Sequence, residues 1–92
     1  MSARWQRLSE TLTERGINHR VVERRYPGGV STSIHIALPA NERVIVADQW
    51  WHDNWTGWTV WRENANAIAT WYLRRSKRRG EVADAVTKAV TA

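Results

Sequence analysis

Arg74-Arg75-Ser76-Lys77-Arg78-Arg79 sets five cations in six residues, and Trp71 stands just before them. Guanidinium groups fork onto phosphate oxygens, and an indole face stacks on a base. Residues of these types in this order are what contact with nucleic acid asks for. A basic run also occurs at ordinary helix ends, where cations complement the negative end of the helix dipole. Both readings of the run stay open.

The second concentration is aromatic. Trp50, Trp51, Trp55, Trp58 and Trp61 fall within the twelve residues WWHDNWTGWTVW, and the chain holds seven tryptophans but no phenylalanine. Aromatic side chains mostly serve packing, so one reading puts all five in the core and the sheet rim. The other makes them a partner-binding surface, because a small domain cannot easily hide seven indoles. Parity favours exposure of some. In an extended segment Trp58 and Val60 share one face while Thr59 and Trp61 share the other, and Trp50 and Trp51 point apart. At least two of the five are therefore expected to stand exposed on the single chain.

Catalytic chemistry finds little to work with. His52-Asp53 resembles a fragment of metal-dependent phosphohydrolase sites, but the helical histidines and aspartate those sites require are missing. Ser31, Ser33, His35 and Asp48 lack a nucleophile elbow or an oxyanion glycine. No set of His and acidic residues shows zinc-ligand spacing. Pro27-Gly28-Gly29 lacks the lysine and following helix of a phosphate-cradling loop. The expectation is a non-enzyme with no metal and no cofactor.

These residues need elements to hold them. Residues 2–15 read as a helix with Trp5, Leu8 and Leu12 on one stripe, and Gly16 stands where a left-handed C-terminal residue belongs. Four strands follow. Residues 20–26 end at Pro27-Gly28-Gly29, and 30–38 alternate with Ile34, Ile36 and Leu38 on one face. Residues 43–48 are apolar on both faces, as a central strand requires, and 57–62 form the last strand after a loop or irregular strand end at 49–56. Residues 64–79 show helical spacing at Ala65, Ile68, Ala69, Tyr72 and Leu73, which puts the basic run at the end of a helix closed by Gly80. Residues 81–91 read as a third helix, with Val82, Val86, Ala89 and Val90 on one face.

The class this predicts is α+β, in the order α-β-β-β-β-α-α. It is a meander of about four antiparallel strands with an N-terminal helix and two C-terminal helices, all packed on one sheet face. Trp5, Leu8 and Leu12 should dock on Ile34 and Ile36. With 92 residues the chain makes a single small domain, residues 1–92, able to bury about 60% of its unfolded surface. No cysteine is present, and no apolar run reaches membrane-spanning length, so a cytoplasmic protein away from membranes is expected. The net charge is +5, with twelve arginines against two lysines.

Two resemblances bear on function. The α-β-β-β-α portion resembles double-stranded RNA-binding domains superficially, but Asn64-Ala65-Asn66-Ala67-Ile68 stands where those carry a basic motif. The stretch ERGI…PGG…VIVADQWW…WTGWTVWRE resembles small orphan proteins of actinobacteria and their phages, over much of residues 14–63. That likeness implies an accessory protein of mobile-element origin acting on host machinery, and it brings no site residues with it. The leading expectation is non-catalytic binding of nucleic acid through Trp71, Arg74, Arg75, Lys77, Arg78 and Arg79. The rival is a protein-interaction module, with a host protein or a second copy of the chain held by Trp50, Trp51, Trp55, Trp58 and Trp61.

Overall fold

The computed structural model describes residues 2–64, 66 and 70–91. Its elements run α1 (Ala3–Glu14), β1 (Arg20–Tyr26), β2 (Gly29–Ala37), β3 (Glu42–Trp51), β4 (Asn54–Asn64), β5 (Thr70–Ser76) and α2 (Arg79–Thr91). The strands pair antiparallel in sequence order, a five-stranded meander with β3 in the middle.

Local chemistry sets the ends of α1. Ser2 caps its start, with the hydroxyl accepting from the Trp5 N–H. At the other end Gly16 turns left-handed at φ 73°, the Gly16 N–H reaches the Thr13 carbonyl, and the Ile17 N–H reaches the Leu12 carbonyl. That is the Schellman arrangement, and Ile17 and Leu12 meet in the core as it predicts. Between the ends, Trp5, Leu8 and Leu12 are buried against Ile34 and Ile36, as the apolar stripe implies.

Both helices lie on one sheet face. α2 sends Val82, Ala83 and Val86 into the same core, joining Val44 and Val46 of β3 and Trp58 and Val60 of β4. Arg15 ties the two helices together through Asp84 at 2.7 Å. In β3, Val44, Ile45 and Val46 are all buried, which fits their position at the centre of the sheet.

Of the two alternatives for 49–56, the irregular strand end holds and the loop does not: β3 runs to Trp51 with a register shift between Gln49 and Trp50, and β4 starts at Asn54, joined by a tight turn at His52 and Asp53. His52 takes the left-handed conformation that such a turn requires, at φ 54°. A correction concerns residues 64–79. They do not form a helix: β5 is a fifth strand, and a single C-terminal helix follows it, with Gly80 inside that helix's first turn rather than closing one. Tyr72 and Leu73, expected on a buried stripe, are exposed. Ala65, Ile68 and Ala69, the rest of that stripe, lie outside the described residues. The physical reason is tertiary. Thr70, Trp71 and Tyr72 favour a pleated surface, and β4 offers a full row of backbone partners that helical periodicity does not foresee.

Candidate nucleic-acid interface

With β5 extended, the basic run divides. Arg74 pairs with Val60 of β4 and so lies on the helix-bearing side, where its guanidinium meets Glu81 at 3.1 Å. Ser76 donates to the other Glu81 oxygen at 2.6 Å and accepts from the Arg78 N–H at 2.9 Å. Ser76 and Glu81 together fix the turn between β5 and α2. The Ser76 hydroxyl, then Arg74 and Arg78, hold the Glu81 carboxyl below its ordinary range. Arg75 pairs with Thr59 and points to the opposite side of the sheet. Arg75, Lys77, Arg78 and Arg79 are exposed, and no carboxylate among the described residues forms an ion pair with any of them. Trp71 lies level with Arg62 on the helix-bearing side, 47% exposed at the sheet edge.

This placement changes the electrostatics of the run. Helix C-terminal cations would gain from the dipole, but Lys77, Arg78 and Arg79 stand at the start of α2. There the dipole's positive end adds to their own charge instead of offsetting it.

The tryptophans also divide. Trp58 is buried, with Trp5 edge-on at 6.2 Å and Trp55 edge-on at 4.9 Å. Asp48 accepts from the indole N–H groups of both Trp5 and Trp55, each at 3.0 Å. The Arg4 guanidinium lies 3.7 Å from the Trp55 ring centre, a cation–π contact. These rings join the start of α1 to the β3–β4 hairpin. Trp50 and Trp51, 54% and 68% exposed, meet the expectation that at least two of the five stand exposed, although it is their place at the hairpin tip and not parity alone that exposes both. Trp61 faces the other way, half-buried, with its indole donating to Glu63 at 2.7 Å.

That other way is the sheet face no helix covers, and the pairing register lines up its residues. One continuous row crosses all five strands as Arg20, His35, Ile45, Trp61 and Tyr72. The next row is small and polar, with Val22, Ser33, Ala47, Thr59 and then Arg75. Arg24 and Arg43 share the same parity. Glu63, also on this face, accepts from Arg43 at 3.1 Å as well as from Trp61. Burial pushes the Glu63 carboxyl up, but these two hydrogen bonds and the Arg43 charge outweigh it and hold it below the ordinary range. His35 is pushed down by burial and by the charges of Arg43, Arg20 and Arg24, against an opposing pull from Glu63.

Sequence reasoning missed that Arg20, Arg24, Arg43 and Tyr72 share a sheet face with Trp61. Alternation in β1 and β2 signals the parity of Arg20, Arg24 and His35, but only the register between strands puts them in one row with β4 and β5. The imagined Ser31, His35 and Asp48 set does not assemble: His35 lies on the uncovered face, and Asp48 lies on the other, engaged with two indoles. Among the described residues no three His, Asp or Glu side chains gather as metal ligands, and no helix is long and apolar enough to cross a membrane.

Comparison with protein-family models, with curated proteins and with solved structures finds no match to this chain. What the residues themselves define is an α+β domain with two helices on one face of a five-stranded antiparallel sheet and an arginine-bearing opposite face.

Proposed function

We propose that this chain is a non-catalytic nucleic-acid-binding protein whose primary phosphate contacts are Arg75, Lys77, Arg78 and Arg79 at the β5–α2 junction, with Trp71 exposed at the other end of β5 as a separate stacking contact. The observation that carries the reading is the convergence of exposed cations on the start of a helix. Such a cluster raises local positive potential at a cost to folding, and a bound polyanion relieves it. Arg74 contributes less than its neighbours, because Glu81 already holds it. The test is binding of labelled DNA at low salt by the wild type and by the triple variant Lys77→Ala, Arg78→Ala, Arg79→Ala. Weakening of about ten-fold or more with thermal stability equal or higher is expected; equal binding would remove the junction from the site.

A second reading has its own observation. Trp50 and Trp51 stand exposed together at the hairpin tip, beside a cleft of about 450 Å³ lined by Arg4, Trp5, Arg25 and Asp48. Paired exposed indoles suit anchoring to a protein, either a host protein met by a phage or actinobacterial accessory factor, or a second copy of the chain. Such a contact would weaken on Trp50→Ala with Trp51→Ala and would change little with salt. Sedimentation of the two proteins across micromolar concentrations separates self-association from monomer.

A further inference from the structure

We infer that the uncovered sheet face is a platform for single-stranded nucleic acid, with bases laid against Trp61 and Tyr72 and phosphates held by Arg20, Arg24, Arg43 and Arg75. The inference rests on the nucleic-acid reading above and adds to it the form of the ligand and a second surface.

The geometry supports the aromatic half. Trp61 and Tyr72 are cross-strand partners on this face, and Tyr72 is 65% exposed. Glu63 fixes the Trp61 indole through its N–H, so the ring is held in place before a base arrives. Aromatic side chains on a sheet surface stack on bases only where those are splayed out of a duplex. A sheet face this broad does not enter a B-form groove, whereas an extended strand can cross it. Five strands at about 4.8 Å spacing make a row roughly 19 Å long, room for two or three bases.

Charge supports the other half. Arg20 and Arg24 lie toward one end of the face and Arg75 toward the other, with Arg43 between. Glu63 is the one acid on this face among the described residues, and Arg43 and Trp61 engage it. A second copy packed face to face would set four arginines against four, so charge favours a polyanion over self-association.

The face also holds unanswered hydrogen-bonding groups. Thr59 Oγ1, His35 Nδ1 and Arg43 Nε are buried without partners, and Thr59 itself is 9% exposed. Buried polar atoms are ordinarily satisfied, and three of the four orphans among the described residues belong to side chains of this face, the fourth being Trp58 Nε1 on the other. His35 and Arg43, with His19 and Arg20, line a cleft of about 530 Å³ where the row reaches β1.

The experiment is fluorescence anisotropy in low salt with a labelled single strand of about a dozen thymidines and with a duplex of equal length. The variants are Tyr72→Ala and Arg24→Ala, both at exposed positions, with Trp51→Ala as the control. The expected result is preference for the single strand, a loss of about 5- to 100-fold on Tyr72→Ala for the single strand, a smaller loss on Arg24→Ala, and none on Trp51→Ala. The His35 imidazole resonance, followed by NMR, should shift once the single strand is bound, because the ligand changes both its burial and the charge around it. Binding that ignores Tyr72→Ala and Arg24→Ala, treats duplex and single strand alike, and leaves His35 unmoved would overturn the platform while the junction reading stands. No binding to either DNA would overturn both, and capture of an acidic peptide alone would reassign the face to a protein.

Discussion

At the scale of single residues, the acids hold cations and indoles in place, and pH exposes this. The folded state depresses the His35 pKa, so its share of stability is complete above the ordinary value of 6.5 and declines as pH falls below it. Glu63 is depressed as well, so its contribution is complete above 4.5 and is lost as pH falls through that region. Both signs point the same way. Urea midpoints should stay level above neutrality and drop in two stages on acidification, and His35→Gln should abolish the first stage. Stability that rises between neutrality and about pH 5 would contradict these placements. Asp48 is a different case, since it accepts from two indoles at once. Asp48→Ala should cost about 3–6 kcal/mol by denaturant unfolding, as charged acceptors contribute roughly 1.5–3 kcal/mol for each of the two hydrogen bonds. A change below about 0.5 kcal/mol would show that the two indoles are held by packing alone.

At the scale of elements, β5 depends on one glycine. Gly57 sits at φ 135°, and a Cβ there would lie 2.8 Å from the Ser76 carbonyl oxygen. Gly57→Ala should therefore destabilise the chain by more than about 1 kcal/mol and speed hydrogen exchange in β5 more than in α1. Uniform exchange would show that β5 is not the element affected. Leu12→Ala probes the opposite side, where full burial predicts a loss of about 2–4 kcal/mol. Much of this architecture was legible in residues. Gly16, the Trp5-Leu8-Leu12 stripe, the alternation of Ile34 and Ile36 and the Val44-Ile45-Val46 run each specify an element through local chemistry. β5 was not legible, because Tyr72 and Leu73 satisfy a helical period as readily as a strand. The choice is made by β4, a partner distant from any local window. The same limit hid the uncovered-face row: Arg20 and Tyr72 stand 52 positions apart in sequence and meet only through the pairing of five strands.

At the scale of the whole molecule, the two helices cover one sheet face and leave arginines on the other, so a net charge of +5 is distributed unevenly. The junction cations and the face arginines meet at Arg75, which faces the uncovered side at the end of β5. A strand running from the junction across the sheet would thus keep one continuous set of phosphate contacts. That arrangement predicts affinity governed by counterion release, in contrast to an indole-anchored protein contact that salt barely alters. The most direct measurement is the affinity of the intact chain for a single-stranded oligonucleotide over a series of salt concentrations. With about four to six phosphate contacts, each worth about 0.7 in slope, log K should fall with log salt at about −3 to −4. A slope near zero, or no binding at about 50 mM salt, would contradict nucleic-acid binding and leave the exposed Trp50 and Trp51 as the working surface.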